Sequence, residues 1–200
     1  MIVVVDNYDS FTYNLVDLLL YLPEDVRVVR NDDAAAIEVL FRMPPTAVVI
    51  SPGPGRPEDA GLSPQIVKKC QERSTPVLGV CLGHQLIAQM LGANIVTTKP
   101  FHGKTSVIHW AHDNELTANI PTTMTVMRYH SLVIDPRSLP ENLACLATTE
   151  DGEIMAIQCK NELLTGVQFH PESILTAYGK LLIENWYRTV NFYALLRNQT

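Results

Sequence analysis

The first hundred positions alternate between short, wholly apolar runs and longer stretches in which apolar residues recur every three or four places. Ile2-Val3-Val4-Val5 has no polar position, which suits a strand only when both of its faces are covered. Val26–Val29, Ala47–Ile50 and Val77–Val80 read the same way. Between them the spacing lengthens to that of a helix. One helix is expected from about Phe11, with Leu15, Leu18 and Leu19 on one face and Asp9 or Ser10 as its cap. Others are expected over Ala34–Phe41, Ser63–Glu72 and Leu82–Leu91, the last stopped by Gly92. Ser51–Arg56 is a Gly/Pro turn.

The second half changes period. Ile95–Thr98, Ser106–Trp110, Thr123–Met127, Leu143–Ala147, Ile154–Cys159 and Leu164–Phe169 read as short strands joined by turns, and a closing helix runs from about Ile174 to Val190. The predicted fold is therefore α/β. It is an open, mostly parallel twisted sheet with helices on both faces, a flavodoxin-like core and additional antiparallel edge strands. No repeat, linker or low-complexity segment divides the 200 residues, so a single domain is expected.

Composition narrows the functional classes. The chain is 46% hydrophobic and 18% charged, a balance that buries a core. Net charge is −6 and no basic block is present, so nucleic acid is not an expected partner. The opening MIVVVDNYDS lacks the features of a signal peptide, and no apolar run is long enough for a membrane span. A cytoplasmic protein that does not engage membrane is the expectation. Cys70, Cys81, Cys145 and Cys159 are widely spaced and form no CxxC pair, so buried thiols are expected rather than disulfides.

One of the four has a special setting. Pro76 to Gln85 has the form strand, Gly-x-Cys-x-Gly, helix, with Cys81 at the turn. That is the cysteine version of a nucleophile elbow, a tight turn that lifts the nucleophile above the sheet. Gly79 and Gly83 permit close packing and unusual dihedrals, and the N-terminus of the following helix favours negative charge. The N–H of Leu82 is the expected donor to an oxyanion. A cysteine alone is more often an inert buried thiol, so a base must be found.

Six histidines are available: His84, His102, His109, His112, His130 and His170. His84 lies one helical turn after Cys81, but no Cys/His cluster completes a metal site around the pair, so it reads as a packing residue and no metal is expected. His109 and His112 share a polar stretch and read as surface. His170 ends an apolar strand, is stopped by Pro171, and has Glu172 two residues on, able to hold the far ring nitrogen. Cys81, His170 and Glu172 thus supply nucleophile, base and orienter.

Five motifs in order, SPGPG, GVCLGHQ, HGKTS, RYHSLV and QFHPES, resemble the class I, triad-type glutamine amidotransferases. The resemblance runs from Asp6 to Lys180. DNYDSFTYN, HGKTS, YHSLV and HPESILT are most similar to the amidotransferase component (component II) of anthranilate synthase and aminodeoxychorismate synthase. It implies a Cys81, His170, Glu172 triad and a Gly55 N–H that joins that of Leu82 around the oxyanion. It also implies a pocket wall shaped by Pro52 and Gly53, with Gln85 and the Ser131–Leu132 backbone holding the amino-acid end of L-glutamine.

On this reading the chain hydrolyses glutamine through a Cys81 thioester and passes ammonia to a chorismate-binding synthase subunit (component I). It needs no cofactor of its own, Mg²⁺ belonging to that partner. HGKTS (His102–Ser106) has no duty in this chemistry and reads either as partner-facing surface or as a structural loop. Asp6–Asn14, bulky and without glycine, reads as a packing and capping segment rather than a phosphate loop. Asp32–Pro45 and Trp110–Pro121 read as surface elements. Two rivals remain: a stand-alone cysteine hydrolase of γ-glutamyl substrates, and a flavodoxin-like binding module with an idle cysteine.

Overall fold

A computed structural model of the chain describes residues 1–197 apart from 43, 112–113 and 160–162; His112 lies outside the described residues, while His109 is exposed. Among the described residues nine strands form one mixed sheet. In chain order they are β1 (Ile2–Asp6), β2 (Val26–Arg30), β3 (Ala47–Ile50), β4 (Val77–Val80), β5 (Ile95–Trp110), β6 (Thr123–Ile134), β7 (Leu143–Thr149), β8 (Ile154–Cys159) and β9 (Leu164–Val167). Their order across the sheet is β2-β1-β3-β4-β9-β8-β7-β5-β6. The first five in that order pair in parallel and the rest antiparallel. The expected α/β architecture is present.

The apolar runs explain the parallel half. β1, β3, β4 and β9 are buried at every position, because helices cover both faces. Along β1, Ile2 and Val4 join one core with Leu15 and Leu19 of α1 (Thr12–Leu19) and Trp186 of α5 (Gly179–Arg197). Val3 and Val5 join the other core, with Ile37 of α2 (Ala34–Arg42), Ile66 of α3 (Ser63–Glu72) and Leu86 of α4 (Leu82–Met90). The alternation of side chains across a strand sends each pair to its own face.

Several expectations are corrected. Ile95–Thr98 and Ser106–Trp110 are one strand, because the intervening residues keep pairing with β6 across two register shifts. Gly103 takes φ +65° there, a conformation open to a residue without Cβ. The strand starting at Thr123 continues through Tyr129–Ser131 to Ile134. The closing helix begins at Gly179, since Ile174 is wholly exposed and residues 171–178 form turns. A Cβ on Gly179 would lie 2.0 Å from the Pro171 carbonyl oxygen, so the chain there needs glycine to pack the turn against the helix.

The cap of α1 also differs: Phe11 is the N-cap and its side chain makes no capping bond. The Asp6 carboxylate instead accepts from the N–H groups of Tyr8 and Asp9 and from the Thr12 hydroxyl. Within Trp110–Pro121, read as surface, Trp110, Leu116 and Ile120 are core residues. Asn185 of α5 pins that segment by donating to the carbonyls of Leu116 and Ala118, at 3.1 and 2.8 Å. No helix among the described residues is long and apolar enough to cross a membrane.

Candidate active site

Four parallel strands end at the same edge, and each hands a segment to one pocket. Tyr8–Ser10 follows β1, Pro52–Gly55 follows β3, Cys81 follows β4 and His170 follows β9. The opposite wall comes from β5 and β6, through His102 and Tyr129–Leu132. The pocket holds about 410 Å³ and includes Leu82 and Gln85 from α4. Crevices at the carboxyl ends of parallel strands are where α/β sheets bind ligands. Pro52, Gly53, Gly55, Cys81, Leu82, Gln85, Ser131, Leu132 and His170, singled out in the sequence, all line it. Glu172 stands behind His170.

Cys81 is the N-cap of α4 with φ +52° and ψ −100°. A non-glycine residue held there is strained, and such strain persists only where the surroundings impose it. Its N–H is fixed on the Val167 carbonyl at 2.8 Å, and its carbonyl accepts from Gln85 N–H at 3.1 Å. The flanking glycines turn out to serve contact rather than dihedral freedom. A Cβ on Gly79 would lie 2.4 Å from the Gly83 carbonyl carbon, and one on Gly83 would lie 2.5 Å from the Ile50 carbonyl oxygen. The elbow therefore seats α4 directly on β3 and β4. The unusual dihedral falls on the cysteine itself.

Three histidines are buried near this turn, and their environments differ. Burial lowers His84 to about 3; its ring lies against the Gly166 backbone without a well-formed hydrogen bond. Burial, and then the Arg128 charge, lower His130 to about 3. For His170 burial also acts downward, but hydrogen bonding to Cys81 and Glu172 and the negative charge of both outweigh it and raise it to about 10. Glu172 Oε1 lies 2.6 Å from His170 Nδ1, with both side chains buried. With Nδ1 held by Glu172, Nε2 is the ring nitrogen left to exchange a proton with Cys81. Of these three buried histidines, His170 is the one held ready to carry a proton.

Surrounding groups hold His170 still. Its N–H donates to the Met127 carbonyl at 3.1 Å, its carbonyl accepts from the Thr176 hydroxyl at 2.6 Å, and the Phe11 ring sits 5.1 Å from the imidazole. The SPGPG loop is fixed by Asn7, whose N–H and side-chain amide bind the Ser51 hydroxyl and carbonyl at 2.8 and 2.9 Å. Gly53 has no room for a side chain, since a Cβ would lie 2.6 Å from that of Asn7 and 2.7 Å from Leu82. Gly55 takes φ +78°. Asn7 also accepts from Asn31 and Ser63, so the Asp6–Asn14 segment joins four elements as well as lining the pocket.

Some site residues were not legible as such. Asp9, raised mainly by burial, faces the charges of His170 and Glu172 and lines the pocket. Arg128, 1% exposed, donates to His130 Nε2 at 3.0 Å and to the Ser106 hydroxyl at 3.2 Å, pairs with Glu153, and stacks over Phe101 at 3.4 Å. HGKTS therefore lies within a strand, where Ser106 backs the pocket wall while His102 and Lys104 are exposed. An arginine between strand residues gives no signal of burial until its partners are known. The other cysteines are free thiols, and burial pushes Cys70 up to about 12.

The family model for glutamine amidotransferase class-I matches residues 3–190. The chain belongs to that family. Among curated relatives, the amidotransferase is 46% identical over 189 residues to anthranilate synthase component 2 of Pyropia yezoensis, covering 93% of this chain and 98% of that one. It is 48% identical over 188 residues to aminodeoxychorismate synthase component 2 of Klebsiella aerogenes, with the same coverages of 93% and 98%. It spans only 31% of the bifunctional protein TrpGD of Thermotoga maritima, at 47% identity over 189 residues and 92% of this chain. A crystal structure of a Thermoplasma acidophilum protein assigned to GMP synthase superposes with a TM-score of 0.86 at 26% identity, covering 98% of this chain and 96% of that one.

Proposed function

We propose that this amidotransferase is the glutaminase subunit, component II, of a chorismate-converting synthase, and that Cys81, His170 and Glu172 are its triad. The observation that carries the reading is the strained Cys81 at the pocket floor beside a buried His170–Glu172 pair. His170 receives the Cys81 proton, and the sulfur attacks the side-chain amide carbon of L-glutamine. The tetrahedral oxyanion is held by the Gly55 and Leu82 N–H groups, two donors worth on the order of 3 kcal/mol each. His170 then protonates the departing nitrogen, and ammonia leaves a γ-glutamyl thioester. Water, giving a proton to the same imidazole, hydrolyses the thioester to glutamate and returns the thiol.

Each step uses a thiol, an imidazole, a carboxylate and backbone N–H groups, so this chain requires no metal or organic cofactor. Pro52 and Gly53 shape the pocket, and Gln85 with the Ser131–Leu132 backbone receives the amino-acid end of the substrate. Ammonia passes to a chorismate-binding partner, the synthase component I, whose own chemistry uses Mg²⁺. Anthranilate and aminodeoxychorismate synthases both fit, as relatives of either name are similar over nearly the whole chain. Bacillus subtilis has a relative, 43% identical over 191 residues, named for both (94% of this chain, 96% of that one). The cytoplasm is the compartment proposed.

The test pairs the chain with each candidate synthase component, chorismate and either glutamine or ammonium. Cys81→Ser is expected to abolish product from glutamine and leave product from ammonium intact. Undiminished glutamine-dependent product in that variant would remove the assignment. The identity of the product made by the native pair settles which synthase is served.

A further inference from the structure

Gln168 follows the last residue of β9, is wholly buried, and takes no part in the mechanism above. Its partners fix which way its amide points. The Leu132 carbonyl can only accept, so the Gln85 atom 2.9 Å from it is the amide nitrogen. The second hydrogen of that nitrogen goes to Gln168 at 3.0 Å, so the Gln168 atom facing it is the oxygen. The Gln168 nitrogen is thereby left pointing at Cys81 Sγ, 3.6 Å away. A chain of two amides thus runs from a pocket-wall carbonyl to the sulfur, and its direction follows from which atoms can donate and which can only accept.

We propose that Gln168 is a further catalytic residue: its side-chain N–H donates to the Cys81 sulfur and stabilises that atom whenever it carries negative charge. The proposal rests on Cys81 being the nucleophile, as above. The sulfur is negative twice in the cycle, before it attacks the amide carbon and again when the thioester collapses and the C–S bond breaks. In both states an N–H donor lowers the free energy of the anion, and a hydrogen bond to a charged group is stronger than one between neutral groups. The Gln168 nitrogen has a sulfur as its acceptor, and that sulfur belongs to the nucleophile.

The arrangement is also linked to the pocket wall. The Leu132 carbonyl also accepts from His130 Nδ1 at 3.0 Å, and His130 Nε2 accepts from Arg128. The Leu132 carbonyl, Gln85, Gln168 and the sulfur thus form one continuous chain of hydrogen bonds with the Ser131–Leu132 wall. Titratable groups other than Gln168's neighbour Cys81 that line this pocket or act on its base are His170 and Glu172 after β9, Tyr8 and Asp9 after β1, Tyr129 and His130 on β6 and His102 on β5. All are retained in the variants below; Gln168→Met adds no titratable group, so a difference in its pH profile reports on the amide, whereas Gln168→Glu adds a carboxylate beside the sulfur.

The test alkylates Cys81 with iodoacetamide, a small neutral probe that needs no glutamine pocket, and follows the modified peptide by mass spectrometry across pH. Gln168→Glu keeps the oxygen that accepts from Gln85 and replaces the donor; Gln168→Met keeps the volume and removes both. At neutral pH alkylation is expected to fall about tenfold in the Met variant and further in the Glu variant, converging on the native rate at alkaline pH. In the glutaminase assay with its synthase partner, the Glu variant is expected to lose kcat by a similar factor, with KM for glutamine within about twofold. Should Gln168→Glu fail to fold, by circular dichroism, the Met variant decides. A native alkylation profile and native kcat in the folded variants overturn the role of Gln168. Full glutamine-dependent activity in Cys81→Ser would instead overturn the underlying reading.

Discussion

The two halves of the sheet build the pocket by different physics. The centre of the parallel half, β1, β3, β4 and β9, uses strands of four or five residues buried on both faces, and places reactive groups on the turns that leave them. Its precision comes from close packing: a strained Cys81, glycines with no room for a methyl group, and His170 clamped by backbone bonds. The antiparallel half uses strands of up to 16 residues with exposed and buried positions interspersed. Its wall is held by charge, through Arg128, Glu153, Ser106 and His130. The halves meet at the Leu132 carbonyl, which accepts from His130 on one side and Gln85 on the other. Reacting atoms sit on the rigid, apolar side and the substrate-facing wall on the polar one.

Substitutions in each half test that division. The largest effect is expected from Glu172→Gln, which keeps the shape of the orienter and removes its charge. Glutamine-dependent kcat is expected to fall on the order of 10³-fold with KM little changed, measured with the synthase partner. The same variant changes stability with pH. His170 is raised in the folded state to about 10, above its ordinary value near 6.5. Its contribution is therefore fully present below about pH 6.5 and is lost as pH rises through about 10. Denaturation midpoints of the native chain should fall across that window, and Glu172→Gln should flatten the fall. An unchanged slope would show that the carboxylate does not hold the imidazolium.

On the polar side, Glu153→Ala leaves the Arg128 charge buried without its partner. The expected cost is about 3–5 kcal/mol, read from urea unfolding, with KM for glutamine raised in whatever remains folded. A cost near zero would mean that the wall does not depend on the ion pair. The smallest effect is expected from Gly83→Ala. The added methyl group meets backbone at Ile50, and relief of that overlap should cost about 1–3 kcal/mol and displace the start of α4. Here kcat should fall more than stability alone explains, because Leu82 N–H moves with the helix. Stability lost with kcat intact would separate the elbow glycine from the chemistry.

The parallel half was legible in the sequence because it obeys one rule. Residues buried on both faces must be apolar throughout, so β3 and β4 were readable to the residue, as was α3. The elbow was readable because Gly-x-Cys-x-Gly records a packing constraint as well as a reactive group. The antiparallel half hid more. Lys99-Pro100-Phe101-His102-Gly103-Lys104 has the composition of a loop, yet bulges carry β5 through it. Arg128 and Glu153 are 25 positions apart, and no local pattern says that they meet. Gln168 was hidden for a related reason: its significance lies in the direction of an amide, which three partners fix and no spacing encodes. The stretch from Ile174 to Tyr178 resembled a helix start but forms turns, as the exposure of Ile174 and φ +60° at Tyr178 show.

The central claim is that one sulfur does covalent chemistry on glutamine. Its most direct test is to treat the chain, with its synthase partner present, with an electrophilic glutamine analogue and locate the adduct by peptide mass spectrometry. One equivalent on Cys81 is the expected result, with none on Cys70, Cys145 or Cys159, protection by glutamine, and no adduct in Cys81→Ser. Labelling spread over the other cysteines, or an adduct on Cys81 that glutamine does not prevent, would contradict it.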